Sequence, residues 1–172
     1  MITLTGFMGS GKTTVGKAVA DMLGCNFYDL DELVVRKAHK SIPRIFAEDG
    51  EAAFRALEAA CLQEAVRKWA ENDVVLSLGG GSLGNAESLR LVREKTVCIY
   101  LRATLDTLME RVSGDAGDAP AGAAAARPML AGDVPALLES RIPAYEAAAS
   151  IVLDTDGCTP EDIATEIIMD CL

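Results

Sequence analysis

The feature that most constrains the fold is a loop sequence near the start of the chain. Residues 6–13 read GFMGSGKT and match the pattern G-x-x-x-x-G-K-[ST] in full. Such a loop connects a buried strand to a helix, and its glycines let backbone N–H groups turn toward a bound phosphate. The apolar stretch from Met1 to Thr5 fits the strand, and the apolar spacing from Thr14 to Leu23 fits the helix. The sequence therefore predicts a nucleoside triphosphate site at this loop.

The residue types of this P-loop (residues 6–13) indicate its contacts. Lys12 can reach the β- and γ-phosphates and neutralise their charge, and the Thr13 hydroxyl can bind Mg²⁺. The positive end of the following helix faces the same anion. The alternative is a glycine-rich turn that carries a lysine by chance, and the flanking strand and helix argue against it. We expect the nucleotide contacts to come from six consecutive residues, Gly9, Ser10, Gly11, Lys12, Thr13 and Thr14.

The size and charge of the chain limit the classes of function. Its 172 residues, half of them hydrophobic, suffice for one domain with a substantial core. The net charge of −10 argues against nucleic acid as a partner. No run of 18 apolar residues is present, and the apolar N-terminal stretch is too short for a secretory signal. We therefore expect no membrane partner and a cytoplasmic protein, and we expect it to be a monomer.

The cysteines and the one histidine do not suggest a metal centre. The five cysteines are widely spaced without a C-x-x-C pair, which favours free, mostly buried thiols in a reducing compartment. His39 lies in a polar stretch beside Lys37 and Lys40, so we expect it on the surface rather than in a catalytic role.

Short apolar runs alternate with helical patterns along the whole chain. The runs are residues 2–4, 26–28, 74–78, 97–101 and 151–153, as in strands that are buried on both faces. Residues 51–70 repeat apolar side chains at helical spacing, while Asp133 and Thr159 are candidate helix caps. The alternation predicts an α/β fold of the P-loop NTPase type, like nucleoside monophosphate kinases, with a central parallel sheet of about five strands between two helix layers. Ligands of such sheets bind beyond the carboxyl ends of the strands.

One segment lacks apolar anchors. Residues 114–126 read GDAGDAPAGAAAA and lead directly into Arg127. Because such a segment cannot bury enough surface to hold one conformation, we expect it to be mobile. It could be a surface insertion. In a phosphate-binding enzyme such a segment is more often a lid, and we expect a lid at about residues 113–130 of a single kinase domain.

Further motifs separate kinases from switches and motors. They are FYDLD at 27–31, DGE at 49–51, FR at 54–55, GGG at 79–81, RPMLAG at 127–132 and RIPAY at 141–145. In this order and spacing they closely resemble the shikimate kinase family over essentially the whole chain. The resemblance implies that ATP phosphorylates the 3-hydroxyl of shikimate, with Mg²⁺ as cofactor. The products are shikimate 3-phosphate and ADP, in the chorismate branch of aromatic amino-acid biosynthesis.

The resemblance implies separate roles for the two aspartates of FYDLD. Asp29 joins Thr13 in the magnesium shell, and Asp31 binds the hydroxyl that attacks the γ-phosphate. A carboxylate within hydrogen-bond reach of that hydroxyl can orient it and accept its proton. From the residues alone, both aspartates could also be solvated turn residues. The resemblance makes Lys12, Asp31 and Arg127 the catalytic residues.

The resemblance also implies a clamp for the carboxylate of shikimate. Arg55, Arg141 and the backbone at Gly80 and Gly81 would hold it, because guanidinium groups match carboxylate geometry. Three successive glycines after a strand fit a place where a ligand comes close to the backbone. From the residues alone, Arg55 could instead pair with an acid on its own helix, and Arg141 could be a surface arginine.

Three more positions follow from the resemblance on the nucleotide side. Arg127 is the lid arginine, whose charge would stabilise the transferring phosphoryl group. Arg111 and the segment around Cys158 form the adenine site, although Arg111 could also be a helix-surface residue. The chain departs from the family in its long Gly/Ala/Asp-rich lid, in Cys158, where a longer polar residue is common, and in Met129, where leucine is usual.

Other classes of protein fit the sequence less well. A GTPase-like switch needs D-x-x-G after the third strand and N-K-x-D, whereas the D-x-x-G matches lie in the first helical segment (21–24) and after the last strand (154–157), and N-K-x-D is absent. A kinase of gluconate or of a nucleoside monophosphate shares the P-loop, but the set of Asp31, Arg55, Gly80 and Arg141 argues against it. A catalytically inactive relative would be expected to lose Lys12 or Asp31, and both are present.

Overall fold

The computed structural model describes residues 1–114 and 132–171. The predicted lid and Arg127 therefore lie outside the described residues, apart from the lid's first residues. In chain order the elements are β1 Ile2–Thr5, α1 Lys12–Leu23, β2 Asn26–Asp29, α2 Leu30–Ala38, α3 Ile42–Glu48, α4 Gly50–Trp69, β3 Val74–Ser77, a 3₁₀ turn Ser82–Gly84, α5 Ala86–Lys95, β4 Val97–Arg102, α6 Leu105–Gly114, α7 Val134–Ala148, β5 Ile151–Asp154 and α8 Pro160–Cys171.

The five strands form one parallel sheet in the order β2-β3-β1-β4-β5. The prediction of a parallel sheet of about five strands is thus confirmed, and each predicted apolar run lies in a strand within a residue or two. Because all strands point the same way, their carboxyl ends meet at one edge. The P-loop follows the central β1, and the segments after β2 and β3 lie beside it.

Alternate residues of β3 and β4 face two separate cores. Leu76 and Tyr100 face a core formed with α2, α3, α4, α5 and α7. Val75 and Ile99 face the opposite core, formed with α1 and α8. Each fully buried Leu or Ile side chain stabilises the fold by roughly 1.5–3 kcal/mol. Both faces of the sheet are therefore covered, as the short continuous apolar runs predicted.

The predicted helix starts are confirmed by their hydrogen bonds. Asp133 accepts from the backbone N–H of Ala136 at 3.1 Å at the start of α7. Thr159 Oγ1 accepts from the N–H of Asp162 at 3.1 Å, directly before Pro160 opens α8. These bonds satisfy N–H groups that have no partner within the helix itself.

The described cysteines are free thiols, and burial varies among them. Cys61 and Cys98 are buried, Cys25 is partly buried, and Cys158 is exposed. Burial raises the pKa of the Cys98 thiol to about 11. His39 is exposed, as predicted, and ends α2 with a left-handed backbone. Within the described ranges, none of the helices has the length and apolar character needed to cross a membrane.

Candidate active site

The P-loop has the backbone of an anion cradle. Gly6, Gly9 and Gly11 have φ angles of 146°, 78° and 90°, which side-chain-bearing residues rarely adopt. A Cβ at Gly9 would lie 2.8 Å from the backbone oxygen of Leu108 in α6, so this position also has no room for a side chain. The loop is therefore folded tightly over the start of α1, whose N-terminus favours a bound anion.

The half-buried side chain of Lys12 curls back over the P-loop. Its Nζ donates to the backbone oxygens of Gly6 and Phe7, each at 2.9 Å. Burial lowers the pKa of Lys12 to about 8, while Asp29 and Asp31 act in the opposite direction. Because negative phosphates would favour the charged form, Lys12 is poised to take up an anion at neutral pH.

Asp29 lies where β2 ends and α2 begins, and its two carboxylate oxygens have different partners. Oδ1 accepts from the backbone N–H of Asp31 at 2.9 Å and caps α2. Oδ2 lies 3.4 Å from the Thr13 hydroxyl, which donates to it. A hydroxyl and one carboxylate are oxygen donors of the kind that Mg²⁺ prefers, and Mg²⁺ usually takes the rest of its shell from phosphates and water. In the described part of the chain no group of three or more Asp, Glu, His or Cys side chains surrounds a further metal position.

Asp31 is a largely buried carboxylate in the first turn of α2. Its pKa is raised to about 6, first by burial and then by the nearby charges of Asp29 and Glu58, against the opposing effect of Lys12 and Arg55. A carboxylate with a pKa near neutrality is suited to accept a proton at physiological pH.

The three glycines after β3 lie between the acidic and basic side chains. A Cβ at Gly79 would lie 3.2 Å from Oδ1 of Asp31. One at Gly80 would lie 3.2 Å from Nη1 of Arg141, and one at Gly81 would lie 2.7 Å from both terminal nitrogens of Arg55. Glycine at these positions lets the charged side chains approach the backbone closely, because a methyl group would displace them.

Glu58 binds Arg55 and fixes the position of its guanidinium group. This buried carboxylate accepts from Arg55 Nη1 at 2.7 Å and from the Ser82 hydroxyl at 2.6 Å. Arg55 also lies 3.7 Å from Glu51, on the exposed side of α4. Arg55 thus does pair with acids of its own helix, and the same pairing holds its guanidinium beside Gly81.

Arg141 approaches from α7 on the other side of the glycines. Its guanidinium carbon lies 5.6 Å from the centre of the Phe7 ring, in cation–π contact. One turn later on α7, the buried Tyr145 hydroxyl donates to the backbone oxygen of Gly80. Arg55, Gly80, Gly81, Arg141 and Tyr145 all line one cavity of about 380 Å³. Two guanidinium groups and a glycine backbone make it a receptor for a small anion.

Arg111, in α6, lies on the far side of the P-loop. Its Nη1 donates to Thr155 Oγ1 at 3.0 Å and lies 3.5 Å from the backbone oxygen of Gly9. Its Nη2 donates to the backbone oxygen of Thr155 at 2.6 Å. The N–H of Cys158 donates to that same oxygen at 3.4 Å. Arg111 and Cys158 therefore meet at the loop after β5, beside the phosphate cradle.

Comparisons with known proteins agree with this geometry. The shikimate kinase family model matches residues 8–172. A shikimate kinase from Salinibacter ruber is 42% identical over 90% of this chain and 76% of that relative. The chain belongs to the shikimate kinase family. A solved shikimate kinase from Acinetobacter baumannii, in complex with shikimate, has 30% identity and a TM-score of 0.86 over 99% of this chain and 91% of that one. A gluconokinase from Sinorhizobium meliloti, at 17% identity and a TM-score of 0.60 over 98% of this chain and 89% of that one, shares the fold alone.

Most positions proposed from the resemblance to shikimate kinases meet at one edge of the sheet. Asp31, Arg55 and Arg141, which the resemblance assigns to the acceptor, lie against the glycine segment after β3 that contains Gly80 and Gly81. On the nucleotide side, Thr13 and Thr14 are exposed at the start of α1, and Ser10 is buried within the loop. The structure leaves Arg127 outside its described residues, so the position of that arginine stays a prediction.

Sequence reasoning gave no functional role to four residues of this shikimate kinase site. They are Glu58, Ser82, Tyr145 and Thr155. Tyr145 lies within the RIPAY motif and Glu58 is one of the acids on the helix of Arg55, but nothing in the sequence marks a glutamate as buried. Only the packing of α4 against the segment after β3 brings Glu58 and Ser82 together.

Proposed function

We propose that this chain transfers the γ-phosphoryl group of MgATP to the 3-hydroxyl of shikimate, giving shikimate 3-phosphate and ADP in the route to aromatic amino acids. The observation that carries this proposal is the arrangement at the carboxyl end of the sheet. Arg55 and Arg141 line one cavity, the glycine segment 79–81 beside it lies against the largely buried Asp31, and the P-loop Lys12 is close enough to Asp31 to lower its pKa. Phosphoryl transfer needs little covalent chemistry from the protein, so catalysis rests on positioning and charge.

The acceptor is held at two ends. Arg55 and Arg141 bind the carboxylate of shikimate with the N–H groups of Gly80 and Gly81, which supports a preference for a ring acid over a neutral sugar. Glu58 keeps Arg55 oriented toward the cavity. Asp31, on the opposite side of the glycines, binds the hydroxyl that attacks.

Proton transfer falls to Asp31. As the hydroxyl oxygen forms its bond to the γ-phosphorus, the bond to the β-phosphate oxygen breaks, ADP leaves, and the hydroxyl proton passes to the carboxylate. With a pKa of about 6 in the ligand-free protein, Asp31 is mostly ionised at pH 7 and is ready to accept that proton.

Charge on the phosphates is balanced by the P-loop side. Lys12 exchanges its bonds to the backbone oxygens of Gly6 and Phe7 for the β- and γ-phosphates. Thr13 and Asp29 would hold Mg²⁺, directly or through water, and the ion would screen the phosphate charges. Arg111 and the backbone around Cys158 hold the adenine. Arg127, from a lid at about 113–130, adds positive charge at the transferring group. We also propose a single kinase domain that acts as a cytoplasmic monomer.

A panel of acceptors tests the function. ADP release from MgATP is measured with shikimate, with its methyl ester, with gluconate, with AMP and without an acceptor. The proposal predicts turnover with shikimate, at least a tenfold higher KM for the ester, and background rates for the others. Equal KM values for the acid and the ester would refute the proposal that the two arginines bind the carboxylate. Turnover with gluconate or AMP alone would refute shikimate as the substrate.

A further inference from the structure

Thr155 is fully buried, yet both of its oxygens bind one cation. Its Oγ1 accepts from Nη1 of Arg111 at 3.0 Å, and its backbone oxygen accepts from Nη2 at 2.6 Å. The N–H groups of a guanidinium lie in its plane and point in fixed directions. Two bonds from two different nitrogens to one residue therefore fix the orientation of that plane.

The edge of the Arg111 guanidinium is occupied by protein oxygens. Besides the two bonds to Thr155, Nη1 lies 3.5 Å from the backbone oxygen of Gly9 in the P-loop. Since these contacts lie in the plane, they do not use its flat faces, which are the faces that stack on aromatic rings. Thr155 therefore determines which way a stacking surface beside the phosphate cradle is turned.

We propose that Thr155 is a positioning residue for the nucleotide, whose hydroxyl holds the Arg111 guanidinium in the orientation that stacks on the purine base. This inference rests on the proposed function, in which Arg111 binds the adenine. The loop after β5 would then contribute a side chain that orients Arg111, in addition to the backbone that lies near the base.

The loop itself does not depend on the Thr155 hydroxyl. The Thr155 N–H donates to the backbone oxygen of Arg102 at 2.8 Å, which extends the pairing of β5 with β4. The Asp156 carboxylate accepts from the N–H of Thr104 at 3.1 Å and from its hydroxyl at 3.0 Å. Replacing Oγ1 by a methyl group in Thr155→Val therefore keeps these anchors and removes one bond from the guanidinium.

The test is titration calorimetry of the folded protein with MgATP and with inorganic tripolyphosphate, which has no base. For Thr155→Val we expect the Kd of MgATP to rise about five- to tenfold, where tenfold equals about 1.4 kcal/mol. The Kd of tripolyphosphate and the KM of shikimate should stay within about twofold. Thr155→Ser, which keeps the hydroxyl, should bind MgATP as the parent does.

Two further variants distinguish a loss of the Thr155 hydroxyl from a nonspecific effect of the substitution and from a loss of the base site itself. Thr165→Val, the same change at an exposed position of α8, should leave the Kd of MgATP unchanged. Arg111→Met should weaken MgATP at least as much as Thr155→Val, and the double variant should be no weaker than Arg111→Met alone.

Three results would overturn the inference. If Thr155→Val binds MgATP like the parent while Arg111→Met does not, the positioning role fails and the proposed base site stands. If neither change weakens MgATP, the assignment of Arg111 to the base fails as well. Equal weakening of MgATP and tripolyphosphate would mean general damage to the loop and would also refute the inference.

Discussion

Replacing Asp31, the proposed catalytic residue, should make this protein more stable. Asp31 carries a pKa of about 6 in place of 3.8, first because it is buried and then because Asp29 and Glu58 lie close. A carboxylate that is forced to ionise in such a place destabilises the fold at neutral pH. We predict that Asp31→Asn, which removes the charge and keeps the shape, abolishes most turnover and raises the free energy of unfolding.

The magnitude follows from the pKa difference. Each pKa difference of one corresponds to about 1.36 kcal/mol, so the ionised Asp31 costs about 3 kcal/mol at pH 7. Burying the amide offsets on the order of 1 kcal/mol, which leaves a gain of about 2 kcal/mol. Because the folded-state pKa is raised, the cost is fully present above pH 6, decreases as the pH falls from 6 to 3.8, and disappears below 3.8, where the carboxyl becomes neutral in both states. At pH 4.5 the cost of ionisation should be only about 1 kcal/mol.

The assay is urea unfolding of parent and variant at pH 7 and pH 4.5, with kcat measured on the same preparations. Asp21→Asn, at an exposed position of α1, is the matched control and should change stability by less than about 0.5 kcal/mol. A variant that is no more stable than the parent at pH 7 would refute the reasoning. An equal gain at both pH values would also refute it, because the stabilisation would then not come from removing a charge.

Four further predictions concern the proposed acceptor clamp and the titrating groups. Gly81→Ala should raise the KM of shikimate at least tenfold, because its Cβ would lie 2.7 Å from the Arg55 nitrogens. Gly84→Ala is the control and should leave the KM unchanged, because its Cβ meets nothing within 4 Å. Equal KM values for the two variants in steady-state assays would contradict this prediction. Arg141→Ala should raise that KM about thirtyfold, corresponding to about 2 kcal/mol, with a smaller effect on kcat, and a kcat loss at unchanged KM would contradict binding as its role. The kcat/KM for shikimate should fall about tenfold per pH unit below about pH 6, because Asp31 becomes protonated. Calorimetry should show that MgATP binds more weakly above pH 8, because Lys12 loses its charge. A kcat/KM that does not change below pH 6 would contradict the role of Asp31, and MgATP binding that does not change above pH 8 would contradict the role of Lys12.

The sequence predicted the sheet and the phosphate cradle because both depend on local patterns. The P-loop glycines, the short apolar runs and the caps at Asp133 and Thr159 act through neighbouring residues, and each was found where it was expected. The family motifs also indicated Asp31 and the two arginines, which the fold brings to one edge of the sheet.

The longer-range contacts that complete the site could not be predicted, because the residues that make them are distant in the sequence. Glu58 binds Ser82, which is 24 residues away, and Arg111 binds Thr155, which is 44 residues away. Neither pair has a recognisable spacing, and a buried glutamate looks like any other helix glutamate until α4 is packed. The Tyr145 hydroxyl likewise donates to the backbone oxygen of Gly80, which is 65 residues away in the sequence.

The product of the reaction can be identified by ³¹P NMR of a mixture of the protein, MgATP and shikimate. We predict one new phosphate monoester resonance, matching shikimate 3-phosphate, that grows in equal amount with ADP and is absent for Asp31→Asn on the same time scale. ADP with free inorganic phosphate and no ester, or an ester at another hydroxyl, would show that the protein does not phosphorylate the 3-hydroxyl of shikimate.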